Sequence, residues 1–365
     1  MNTLTFGFVG LGLIGGSIAK ALRRAYPDCT IIAYDINEET LNNSVSELVV
    51  NKGITEINDS FLECDYLFLC APVGNNNENL SSLVPYIKST CILTDVGSVK
   101  TPIHKVIEQL GIESQFIGGH PMAGSERFGY ANSKPGILEN AYYILTPTDS
   151  VPASKVVEMQ TLIKSIGALP LILTCSMHDY VTGAISHLPH VISAALVNLV
   201  HDEDSKEGTM KMIAAGGFKD ITRISSSSPN MWQQICLTNK ENITDLLDKY
   251  IEALEKIKTD IANSENDKLY SFFDDARSYR ESFISSNSGP IKAEFVITID
   301  IADKPGAIAA LASLLSMHGV NIKNIGINHN REFAEGALRI EFYDEKATEE
   351  AIQVMSEHGY RVHTK

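Results

Sequence analysis

The chain has 365 residues, with 30 Lys and Arg against 45 Asp and Glu, for a formal net charge of -15. At 44% hydrophobic and 21% charged it has the make-up of a globular protein of about two or three domains, and the acidic balance argues against nucleic-acid binding, which needs a clustered basic surface. No continuous apolar run reaches the ~18 residues of a membrane span, the uncharged N-terminus does not read as a signal peptide, and six cysteines without a CxxC pair suggest buried free thiols in a reducing, cytoplasmic setting.

From 1 to 174, short apolar runs alternate with amphipathic ones. Residues 5–9, 31–34, 66–69, 91–94, 143–145 and 169–173 read as strands, and 14–25 and 151–165 as helices. The runs are continuous rather than alternating, which suits a parallel sheet covered on both faces. The expectation is α/β: a Rossmann-like, doubly wound, NAD-binding domain. From 175 to 285 nothing reads as a strand. Residues 181–200 and 239–263 are helical, and Ile243, Leu246, Leu247, Tyr250, Ile251, Leu254 and Ile257 form one stripe. A stripe this wide must pack on something, so an all-helical dimerisation and substrate domain is expected. After the linker at 285–290, residues 291–365 read β-α-β-β-α-β, the ferredoxin-like order.

Gly10-Leu11-Gly12-Leu13-Ile14-Gly15 is a GxGxxG that follows the first strand and opens the first helix, the context that gives the pattern meaning. Gly10 allows the tight turn, Gly12 lets the backbone approach a pyrophosphate, and Gly15 lets helix and strand pack closely. The amides of the first helical turn, at Leu13 and Ile14, supply donors. Asp35, twenty residues past Gly15, ends the second strand. A carboxylate there accepts from both ribose hydroxyls and repels a 2′-phosphate, which favours NAD over NADP.

Asp95-Val96-Gly97-Ser98-Val99-Lys100 follows the strand at 91–94, where loops line the crevice of an open sheet. Ser98 either offers its hydroxyl to that crevice or caps the next helix. Gly118-Gly119-His120-Pro121-Met122-Ala123-Gly124-Ser125-Glu126 reads as a loop that faces His120 to the nicotinamide. A dehydrogenase acting on an alcohol carbon needs a base for the hydroxyl proton, and imidazole suits that near neutral pH. Ser186-His187-Leu188-Pro189-His190 lies in the helical stretch, with His178 and Asp179 upstream. HxxH spacing can grip a divalent ion, but no third ligand is evident and hydride transfer to NAD needs no metal. His190 is either a ligand-binding or a core histidine. Arg223 either holds a carboxylate through two parallel bonds or makes a surface salt bridge.

GLGLIGGS, DVGSVK, GGHPMAGSE, SHLPH and GFKDITR, in this order along nearly the whole chain, resemble the prephenate dehydrogenases, the TyrA family, in the form with a C-terminal ACT domain. The resemblance implies NAD-dependent oxidative decarboxylation of prephenate to 4-hydroxyphenylpyruvate in tyrosine biosynthesis, by a homodimer. It implies His120 as the base on the ring 4-hydroxyl and Ser98 hydrogen-bonded to that histidine. It implies Arg223 on the ring carboxylate, with His190, Glu126 and Ser125 shaping the rest of the pocket. In the tail, Pro305 is expected at the first helical position after Asp303-Lys304. The resemblance implies a tyrosine effector at Asp303, Pro305, Gly306, Asn321 and Ile322, or else a purely dimerising module. Three rivals stand beside this reading. An arogenate or cyclohexadienyl dehydrogenase is not separated by these motifs. A β-hydroxyacid-type dehydrogenase generally uses a lysine where this helical stretch offers HLPH and Arg223. A non-enzymatic sensor would have no use for the polar set around His120.

Overall fold

The computed structural model describes residues 3–124, 127–285, 295–301, 305–328 and 337–364. The chain parts into two compact units, Met1–Glu265 and Asn266–Lys365.

The first unit opens with β1 (Thr5–Val9), α1 (Leu13–Ala25), β2 (Thr30–Tyr34), α2 (Glu38–Ser46), β3 (Lys52–Ile54), β4 (Tyr66–Leu69), α3 (Val73–Leu83), β5 (Ile92–Asp95) and α4 (Thr101–Leu110). The five strands are parallel, in the order β3-β2-β1-β4-β5. Phe6, Phe8, Ile31 and Phe68 are buried in one core layer, and Val9, Leu67, Leu69 and Leu93 in the other. Phe8 sits in register between Ala33 and Phe68 and stacks on the Phe68 ring with centroids 5.0 Å apart. Burying each such large side chain contributes about 1.5–3 kcal/mol. Burial on both faces is why these strands read as unbroken apolar runs. β3 was not foreseen because exposed Lys52 and Gly53 leave no such run.

β6 (Ile117–Pro121), β7 (Tyr142–Pro147), α5 (Ala153–Ser165) and β8 (Leu169–Ile172) follow. They build a second sheet, β6-β7-β8, whose first pair is antiparallel. A single parallel bridge, Leu93–Phe116, links the chain leading into β6 to β5. The expected loop around His120 is therefore corrected: His120 is a strand residue, opposite Ile144. The glycines before it mark close approach, not a turn. A Cβ on Gly118 would lie 2.3 Å from Thr146 Oγ1, and one on Gly119 2.6 Å from the Asp95 carbonyl oxygen.

The rest of the unit is helical: α6 (Cys175–Thr182), a π turn at Gly183–His187, α7 (Leu188–Glu203), α8 (Thr209–Ile213), α9 (Gly216–Thr222), α10 (Pro229–Thr238) and α11 (Lys240–Ala262). The π turn precedes Pro189, whose ring cannot sit against the carbonyl four residues back. Against the sequence expectation, the continuous helical run Cys175–Glu203 is long and apolar enough, by length and composition, to cross a membrane. Residues His178, Asp179, His187 and His190 interrupt it, and each is hydrogen-bonded inside the chain. Along α11, Ile243 and Leu246 are buried, whereas Ile251 and Leu254 are 48% and 46% exposed.

The second unit holds α12 (Asn266–Ser285), β9 (Val296–Asp300), α13 (Ala307–Met317), β10 (Asn324–Asn328), β11 (Ala337–Glu341), α14 (Glu345–Glu357) and β12 (Val362–Thr364). Its antiparallel sheet has the order β10-β11-β9-β12, which with the two crossing helices is ferredoxin-like. Ile297, Ile299, Leu338 and Ile340 pack with Leu311, Leu315, Ala351 and Met355. Gly306, at φ +87, is the N-cap of α13, so Pro305 precedes the cap and does not occupy the first helical position. Asn321 is exposed and Ile322 packs on this core, while Asp303 lies outside the described residues.

Candidate active site

The glycine turn closes the C-terminal end of β1, the central strand. Gly10 has φ +96, and a Cβ on it would lie 2.8 Å from the Ala71 nitrogen. One on Gly15 would lie 2.5 Å from the Gly10 oxygen. Gly12 differs, because nothing stands within 4 Å of where its Cβ would be. It is the N-cap of α1, and the Gly16 N–H bonds back to its carbonyl at 2.9 Å. The amides of Leu13, Ile14 and Gly15 are thus left without intrahelical acceptors. Open space above unpaired amides at the positive end of a helix fits a pyrophosphate. Asp35 accepts from Leu11 N–H at 2.7 Å and Asn37 N–H at 2.9 Å, which fixes it beside the turn. Its oxygens have lone pairs to spare for ribose hydroxyls.

His120 is half-buried in β6. Its Nδ1 lies 2.8 Å from His178 Nε2, and His178 Nδ1 lies 2.8 Å from Asp179 Oδ1. Asp179 is itself anchored by the Lys100 and Thr101 N–H groups at the start of α4, at 2.7 and 2.8 Å. These contacts set the tautomers. A carboxylate only accepts, so His178 donates from Nδ1, which leaves its Nε2 to accept from His120 Nδ1. The lone pair of His120 is left on Nε2, which has no hydrogen bond among the described residues. Burial above all, helped by the nearby Lys100 charge, holds the His120 pKa well below 6.5, so the ring is neutral at pH 7. Burial pushes Asp179 up, but the hydrogen bonds from His178, Thr101 and Lys100 outweigh it and keep the carboxyl ionised.

Ser98, in the β5–α4 loop, makes no hydrogen bond to His120 among the described residues. Nor does it cap α4, whose N-cap is Lys100. His178 stands in the orienting position that the resemblance gave to Ser98. Sequence reading missed that role, because the contact spans 58 residues and its only local sign is an adjacent His-Asp pair.

A second group lies on the helices. His190 stacks on Trp232 with ring centroids 3.7 Å apart and donates from Nδ1 to the Ser186 carbonyl at 2.9 Å. Burial lowers its pKa, the Ser186 bond partly offsets this, and the nearby Arg223 charge lowers it further. His187 is buried edge-on to the same indole, with its Nδ1 3.0 Å from Asn239 Nδ2. Burial pushes its pKa down to about 4. His187 is within electrostatic reach of His120, His178 and His190. The structure thus gathers His120, His178, His187 and His190, with Arg223 beside His190 on an exposed surface. Ser125 and Glu126 lie outside the described residues.

Residues 18–171 match the family described as prephenate dehydrogenase, nucleotide-binding domain, and 174–275 match its dimerization domain. A prephenate dehydrogenase of Bacillus subtilis (strain 168) is 36% identical over 359 residues, covering 97% of each chain. The chain belongs to the prephenate dehydrogenase family. Another prephenate dehydrogenase, from Lactococcus lactis, is 31% identical over 95% of this chain and 96% of its own. The solved prephenate dehydrogenase of A. aeolicus, in complex with hydroxyphenyl propionate and NAD+, has a TM-score of 0.73 at 31% identity, covering 78% of this chain and 99% of that one. An arogenate dehydrogenase of Synechocystis has a TM-score of 0.70 at 29% identity, covering 77% and 100%. Membership in the prephenate dehydrogenase family removes the β-hydroxyacid-type and sensor rivals.

Proposed function

We propose that this chain oxidises and decarboxylates prephenate to 4-hydroxyphenylpyruvate with NAD, a step of tyrosine biosynthesis, in the cytoplasm. The observation that carries the reading is the contact chain Asp179–His178–His120, which leaves His120 Nε2 without a hydrogen bond among the described residues. The Gly12 opening and the Leu13 and Ile14 amides hold the pyrophosphate, and Asp35 the ribose. When bound, NAD would supply the acceptor for the hydride on C4 of the ring. His120 Nε2 takes the 4-hydroxyl proton as the C4–O bond gains carbonyl character. It returns that proton to the phenolate oxygen once the ring carboxylate has left as CO2. Asp179, through His178, stabilises the imidazolium in between, the logic of a carboxylate-oriented histidine. Aromatisation drives the reaction, so the protein chiefly positions groups. Arg223 binds the ring carboxylate, His190 the side chain, and Ser98, Ser125 and Glu126 complete the pocket. The exposed apolar face of the helical segment pairs with a second copy.

One observation favours arogenate as a second substrate. His190 spends its Nδ1–H on Ser186, so the neutral ring offers only a lone pair, which suits an ammonium group better than a keto oxygen. The test is NADH absorbance with prephenate and with arogenate, each with NAD and with NADP. Silence with both substrates would overturn the reading; faster turnover of arogenate would replace the substrate.

The ferredoxin-like unit is an ACT module that binds tyrosine at Pro305 and Gly306 before α13 and at Asn321 and Ile322 before β10, together with Asp303 outside the described residues, and slows turnover. Its topology and the left-handed Gly306 support this. Calorimetry and inhibition assays on the intact protein test it, and tyrosine that neither binds nor inhibits leaves a purely dimerising module.

A further inference from the structure

β5 and the chain entering β6 share one parallel bridge, at Leu93 and Phe116, and no further ladder among the described residues. Three residues beyond that bridge, Gly119 still has both of its main-chain polar groups occupied on that side. Its N–H donates to Asp95 Oδ1 at 3.1 Å, and its carbonyl accepts from Lys100 Nζ at 2.6 Å. Lys100 Nζ is also ion-paired with Asp95 Oδ2, which in addition accepts from Gly97 N–H at 2.9 Å. The Lys100 side chain is 0% exposed and that of Asp95 3%. A cation this deeply buried cannot touch substrate. Its cost of desolvation is tolerated only because both of these partners are in place.

We propose that the Asp95–Lys100 ion pair positions the base of this reaction. It substitutes two side chains for the missing strand ladder, grips the peptide groups of Gly119, and so fixes where His120 stands. Gly119 is suited to this grip, since a Cβ there would lie 2.6 Å from the Asp95 carbonyl oxygen and 2.9 Å from the Tyr143 ring. Such an arrangement lets β6 leave β5 and open the crevice without letting His120 drift. His120 is then held from two directions: its ring by His178, its backbone by this pair. The inference rests on the functional reading above, in which His120 is the base. Lys100 and Asp95 are positioning residues.

The test is a single-turnover measurement with enzyme in excess over prephenate. Lys100→Met alone leaves Asp95 buried without a partner and is expected to destabilise the fold. Asp95→Leu/Lys100→Met removes both charges together, a change buried ion pairs often tolerate. In that paired variant the rate of NADH formation should fall about 100-fold, the effect of a base misplaced by about an ångström. The amplitude and the NAD affinity should stay as in wild type. A merely structural role would lower the amplitude and leave the rate. A wild-type rate in the paired variant overturns the proposal, whereas a wild-type chain that makes no NADH overturns the functional reading first. Should the paired variant fail to fold, amide exchange in wild type decides. Gly119 should exchange as slowly as the β6 amides bonded to β7, and fast exchange there overturns the grip.

Discussion

The nucleotide-binding region and the helical segment bury their apolar residues in different ways. In the first, two layers of phenylalanine, isoleucine and leucine close over both faces of a parallel sheet, and the chain supplies its own cover. In the second, Ile235, Ile243 and Leu246 are buried, but Leu199, Ile251, Leu254 and Ile261 are left open to solvent. The five-stranded sheet is covered by the chain itself, whereas this face of the helical segment is not. Apolar faces left open in this way mark association. The split also divides the proposed chemistry: the proposed base and cofactor turn stand in the nucleotide-binding region, while the groups proposed for the substrate's carboxylate and side chain stand on the segment with the open apolar face.

The largest expected effect lies in the complete region. His120→Asn should lower turnover by roughly 100- to 10,000-fold while NAD affinity, read by calorimetry, stays within about twofold. Equal activity would break the assignment of the base. Next is the incomplete region. Ile251→Asp with Leu254→Asp should convert dimer to monomer in sedimentation equilibrium and leave NAD binding in place. An unchanged mass would mean that this face is covered by something other than a second copy. Arg223→Ala should raise KM for prephenate about tenfold to a hundredfold with a smaller change in kcat, as expected for losing a hydrogen-bonded charge. An unaltered KM would remove Arg223 from the pocket. The smallest effect concerns pH. Below about 6.5 the unfolded chain protonates His187, whereas the folded chain resists until about 4, so the unfolded state binds more protons across that window. Stability should therefore drop by roughly 1–3 kcal/mol on acidification from pH 7 to 4.5, seen as a lower urea midpoint. A His187→Gln variant with the same pH dependence would show that other groups carry it.

Much of the architecture was legible because continuous apolar runs, a glycine turn and the β-α-β-β-α-β rhythm are local signals. β3 was not, because an edge strand as short as Lys52–Ile54 buries only Ile54 and leaves no apolar run. β6 was misread because Gly118 and Gly119 look like loop formers, and only the neighbours Thr146 and Asp95 reveal that they are strand residues pressed against other chain. The glycine turn was legible for the same reason as the sheet, since all its parts lie within one strand–turn–helix. The partners of His120 come from a helix that begins more than fifty residues later, and sequence proximity does not show which histidine reaches which.

Asp179 belongs to the helical segment, yet its carboxylate receives the opening amides of α4 in the nucleotide-binding region, and its main-chain oxygen receives the Asn239 amide. One buried anion is thereby riveted to both halves. A clamshell motion about the junction near residue 174 would strip that anion of its donors in a place water does not reach. Crosslinking the two halves across that seam should therefore leave exchange of coenzyme and product undisturbed.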